Sequence, residues 1–137
     1  MREGIKYMSE KRNDRGLLLV AKTDLDMADY ALKQKDSVFI NQAISHISQA
    51  TEKIVKYLCS CYGIDYSYSH YIGELVDSLL EKDVKIPQLI QDSIKDYGEW
   101  ATKARYSSAQ LVQRSYSEKQ YNCVKDWLLS IEKQIML

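Results

Sequence analysis

Proline is almost missing from this chain. Pro87 is the only one, and five glycines complete the set of strong chain-reversal residues among 137 positions. So few turn formers exclude the frequent reversals of a sandwich or barrel, and an all-α chain is the expectation. Net charge is missing as well. Nineteen basic and nineteen acidic side chains cancel, so no overall field draws the chain to a nucleic-acid backbone or an anionic membrane, and any nucleotide site has to be a local patch. Long apolar runs are also absent. The longest, Leu17 to Ala21, is too short to span a bilayer, and the charged stretch ahead of it lacks the small-residue cleavage site of a signal peptide; no membrane contact and a cytoplasmic location are expected. Cysteine and histidine are scarce. On a helix Cys59 and Cys61 would lie about 200° apart, so with Cys123 and two histidines no closed zinc site is expected, only free thiols in a reducing compartment.

What is present is helical periodicity. The length suits one domain able to bury roughly two-thirds of the surface its unfolded chain would expose. Residues 1–13 are charge-rich and read as a tail or a loosely docked segment, leaving 14–137 as the domain. From about Asp14 to Gln34, Leu18, Ala21, Leu25, Ala28 and Leu32 step by three and four, with Asp24, Asp26 and Asp29 on other faces. Lys35-Asp36-Ser37 is a short connector that offers Asp36 or Ser37 as a cap and implies antiparallel neighbours. The second helix is predicted over Val38 to Tyr62, roughly 40 Å long, with Gly63 as its left-handed stop. The pattern predicts an up-and-down helical bundle of about five helices built around it.

That second helix carries two stripes. Ala43, Ile47, Ala50, Ile54, Tyr57 and Cys61 form an apolar line, while Gln49, Glu52, Lys53 and Lys56 fall largely off it and face outward. His46, beside the apolar line, is read as structural. A tyrosine-rich loop leads to a third helix over His70 to Glu81, with Ser69 as its cap and Ile72, Leu75, Val76, Leu79 and Leu80 inward. Pro87 fits the first turn of a fourth helix whose core face is Ile90, Ile94, Tyr97, Ala101 and Ala104. Arg105 to Tyr116 reads as a loop. A capping box at Ser117 and Gln120, or at Ser115 and Glu118, then opens a fifth helix carrying Tyr121, Val124, Leu128, Ile131 and Ile135.

Gln49-Ala50-Thr51-Glu52-Lys53 with Lys56 after it, a loop closing on His70 at a helix start, and Ala104-Arg105-Tyr106 at the end of the fourth helix together resemble the HEPN family, the higher eukaryotes and prokaryotes nucleotide-binding domains. The resemblance covers about Leu18 to Trp127. It implies a four- to five-helix bundle, usually dimeric, often paired with a minimal nucleotidyltransferase in toxin–antitoxin-like systems; some members are metal-independent ribonucleases. The ribonucleases carry Arg, four to six residues, then His. Here Arg105 has no histidine in the six residues after it, and neither His46 nor His70 has an arginine at the required distance before it.

The resemblance therefore implies no catalytic residue and no cofactor beyond a nucleotide ligand. Its ligand set would be Arg105 for a phosphate, Tyr106 for stacking a base, His70 from the third helix, and Lys53, Gln49 and Lys56 from the second. Three readings stay open. One is a nucleotide-binding and protein-interaction module, a homodimer through long-helix faces, with a nucleotidyltransferase as partner. Another is a ribonuclease toxin in which His70 comes near Arg105 as a displaced acid–base. The third is a purely structural dimer. RNA is the less expected ligand, because the tyrosine-rich loop lacks the cations of an electrostatic funnel.

Overall fold

A computed structural model describes residues 14–67 and 71–136. Five α-helices and no strand occur among them: α1 (Arg15–Leu32), α2 (Val38–Cys61), α3 (Ile72–Glu81), α4 (Gln88–Thr102) and α5 (Arg114–Met136), with a 3-10 turn over Lys103–Arg105. The expected helical bundle is present. The N-terminal tail and the expected start of the third helix at Ser69 and His70 lie outside the described residues.

The bundle is organised around α2, which packs against each of the other four helices. Its predicted apolar line is fully enclosed, every member at most 1% exposed. A second apolar line, Ile40, Ile44, Val55 and Leu58, is buried on its other sides. Each such aliphatic side chain contributes about 1.5–3 kcal/mol on leaving water. Helix ends follow local chemistry. Asp36 accepts a hydrogen bond from the Val38 N–H at 3.0 Å, while the Ser37 side chain makes no capping bond. Gly63, at φ 70°, allows the Ile64 N–H to reach back to the Cys59 carbonyl at 2.9 Å and close α2.

Two expectations about helix starts are corrected. Pro87 sits just before α4 rather than inside its first turn, at φ −53° and ψ 138°. No capping box opens α5, because the helix already starts at Arg114. Ser117 and Gln120 are both fully buried within it. The Arg114 guanidinium donates instead to the Leu32 and Gln34 carbonyls, and so ties the start of α5 to the end of α1. The loop before it is held by Asn41, whose amide donates to the Ser107 and Ala109 carbonyls at 3.1 and 2.7 Å and accepts from the Leu111 N–H at 2.9 Å.

Candidate functional site

The polar stripe of α2 is where the core opens. Between Ile40 and Cys61 no residue is fully exposed, and the half-buried ones, Gln42, His46, Gln49, Glu52, Lys53 and Lys56, recur at three- and four-residue steps on one face. α1 lies along one edge of this face and α4 along the other, so the stripe forms the floor of a polar groove.

On the α1 edge stands a charged cluster. Asp24 Oδ2 accepts from Lys53 Nζ at 2.8 Å, and Asp24 Oδ1 lies 3.2 Å from His46 Nδ1. Asp24 is 8% exposed. Burial by itself would raise its carboxyl, but the hydrogen bonds from His46 and Lys53, together with the Lys53 charge, outweigh that and hold it below its ordinary value of 3.8. The expectation that Asp24 lies off the core face is thereby corrected. A signal for this exists in the sequence: Leu17, Ala21, Asp24, Ala28 and Ala31 step by four and three, which puts an acid in core register.

On the other edge lies a small, solvent-open cleft of about 80 Å³ between α2, the start of α3 and α4. Lys56, Glu52 and Ser48 line it from α2, Tyr71 from just before α3, Ile72 from α3, and Lys95, Gly98 and Ala101 from α4. Lys56 Nζ bonds Glu52 Oε1 at 2.8 Å. The Tyr71 ring folds over the first turn of α3, and a Cβ on Gly73 would stand 2.6 Å from the ring, so a larger residue there would push the ring aside. Gln49 sits between the two edges and donates to Ser45 Oγ at 3.2 Å.

The structure thus brings Gln49, Lys53 and Lys56 together on one accessible face, as the sequence predicts. Tyr106 lies beyond the 3-10 turn and is 83% exposed. The backbone of Arg105 ends that turn, one turn past Ala101 of the cleft wall; its side chain, like the whole of His70, lies outside the described residues. His70 directly precedes Tyr71 of the cleft. Sequence reasoning missed Asp24 as the partner of His46 and Lys53, and it missed Lys95 and Tyr71 as cleft residues.

Chemically, the groove offers two half-buried ammonium groups, a third on Lys95, and an imidazole oriented by a carboxylate. Such a surface suits an anionic ligand with hydrogen-bonding edges. The thiols contribute nothing to it: burial pushes Cys59 and Cys61 up to about 12 and about 11, so both stay protonated at neutral pH. Among the described residues no group of three or more His, Cys, Asp or Glu side chains is placed to hold a metal ion, and no helix is long and apolar enough to cross a membrane.

Comparison with curated proteins and with solved structures returns no match. The profile of the HEPN domain, in contrast, matches residues 15–133, from the first residue of α1 to the last turn of α5. Spanning the whole bundle and its groove, that match establishes that the chain belongs to the HEPN domain family, whose members are nucleotide-binding and ribonuclease-type modules.

Proposed function

We propose that this chain is a nucleotide-binding and protein-interaction module, a homodimer that works with a minimal nucleotidyltransferase in a toxin–antitoxin-like pair. The observation that carries the reading is the α2 stripe. A helix otherwise buried on all sides leaves one face accessible, and that face holds Gln49, Lys53 and Lys56 beside a cleft with Lys95 and Tyr71. Lys53 and Lys56 supply positive charge for a phosphate. Arg105, Tyr106 and His70, which the family resemblance implies as ligands, would complete the set with a guanidinium, a stacking ring and an imidazole.

The test is a pull-down of the tagged chain from its native host, with mass spectrometry of bound proteins and small molecules. Recovery of a nucleotidyltransferase together with a nucleotide, both reduced by Lys53→Ala and Arg105→Ala, is the expected result. Recovery of the chain alone overturns the reading and favours a purely structural dimer.

A ribonuclease reading has one observation in its favour. His46 is oriented by the Asp24 carboxylate in an open groove, an arrangement that serves general acid–base chemistry. It requires RNA cleavage by the wild type that His46→Ala or His70→Ala abolishes. Intact RNA after incubation with the chain, alone and with its partner, removes it.

A further inference from the structure

The apolar side chains left in water are not scattered. Of ten large hydrophobic residues exposed among the described residues, six stand on α1 and the adjoining face of α5: Leu19, Val20, Met27, Tyr30, Leu129 and Met136. On α1 the spacing of Leu19, Val20, Thr23, Met27 and Tyr30 makes one outward stripe, opposite the face that packs on α2. Leu19 is 68% exposed and Tyr30 65%. Met136 lines the same surface groove as Leu19 and Lys22, and Leu129 lies one turn before Glu132, which reaches Lys22 at 3.8 Å. An exposed apolar stripe rimmed by charged side chains is the kind of surface that marks an interaction face.

We infer that this α1 stripe is the face on which a second copy of the chain docks. The inference takes the dimer from the proposed function and assigns its surface, which the sequence placed on the long helix. α2 leaves only a polar groove accessible, whereas α1 presents the apolar face. The flanking charges fit a copy of the same helix. Lys22, Asp26, Asp29 and Lys33 line one flank of the stripe at three- and four-residue steps. When two α1 helices lie antiparallel about a two-fold axis near Leu25, like flanks face each other. Val20 of one copy then lies opposite Tyr30 of the other, and Thr23 opposite Met27. In the same register Lys22 falls between Asp26 and Asp29 of the other copy, so the flank is self-complementary where the apolar stripe is also centred. Val20 and Met27 are the neighbours of Asp24 one turn either way, so the second copy borders the α2 groove.

Sedimentation equilibrium on the full chain tests this. The wild type is expected to be a dimer, and Met27→Glu with Tyr30→Glu to weaken it by about tenfold or more, because two charges would then be buried without partners. Unchanged far-ultraviolet circular dichroism checks the fold of that variant. Lys22→Glu alone is expected to weaken the dimer, and adding Asp26→Lys and Asp29→Lys to restore it. A wild-type dimer that the stripe variants leave intact overturns the assigned face and spares the dimer. A wild-type monomer overturns both, and leaves the stripe to residues 1–13 or to a different protein.

Discussion

Two polar clusters flank α2, and they differ in the way that separates stability from function. On the side of α4 and α5, Tyr97 donates to Gln120 Oε1 at 2.6 Å, while the Gln120 amide donates to Ser93 Oγ at 2.7 Å and to the Tyr116 hydroxyl at 3.0 Å. Trp100 packs edge-on against both Tyr97 and Tyr116, with ring centroids 5.6 and 5.8 Å away. Every group in this network is neutral, and burial pushes the Tyr97 hydroxyl up so that it stays so. On the side of α1, Asp24 and Lys53 carry charge beside the His46 imidazole, and Lys53 keeps a quarter of its side chain in water. The neutral network specifies how α4 and α5 meet. The charged cluster leaves cationic and imidazole groups within reach of a ligand. One sequence can hold both because the neutral network is built from α4 and α5, whereas the ionised groups come from α1 and the open face of α2.

The largest effect is expected where the polar groups are dry. Gln120→Ala removes the acceptor of the buried Tyr97 hydroxyl and leaves a cavity, while Ser93 and Tyr116 keep each other as partners; it should cost roughly 2–4 kcal/mol in denaturant unfolding. It should leave the groove's ligand affinity unchanged in the protein that remains folded. A cost near zero would show that the two clusters do not differ in structural weight.

Asp24→Asn should cost less, about 1–3 kcal/mol at neutral pH, because Lys53 can turn to water when its carboxylate is lost. Its sign with pH is set by the depressed carboxyl. A group whose folded value lies below 3.8 stabilises the fold above the unfolded value and loses that contribution as pH falls through the folded one. Wild type and Asp24→Asn should therefore differ at neutral pH and converge below about pH 3.8. Unfolding curves at a series of pH values read this directly, and a gap that widens in acid would contradict it.

Lys56→Ala should have the smallest effect on stability, about 0.5 kcal/mol or less, since its bond to Glu52 is an i,i+4 pair at the surface. In the same variant, affinity for a phosphate-bearing ligand should fall. Loss of stability without loss of affinity would place Lys56 with the structural cluster instead.

How much of this the sequence showed follows from what periodicity records. Three–four spacing gives the five helices and the apolar line of α2, because packing enforces it. It also separates Gln49, Glu52, Lys53 and Lys56 onto an open face. It sorts residues by polarity, however, and so sends Asp24 outward although its position is in core register. For the same reason Gln120 reads as a cap rather than as the centre of a buried network. The 103–114 segment has no periodicity to read, because single side chains hold it: Asn41 through three backbone bonds, and Arg114 by reaching across to α1. Lys95 and Tyr71 join the cleft through tertiary packing alone.

The most direct test of the central claim, that the α2 face is the nucleotide site, is an amide chemical-shift titration of the wild-type chain with nucleoside mono-, di- and triphosphates. Saturable shifts at Gln49, Glu52, Lys53 and Lys56 and along the cleft at Tyr71 and Lys95, lost in Lys53→Ala with Lys56→Ala, are the predicted result. Saturable shifts confined to other surfaces, or none with any nucleotide, would contradict it.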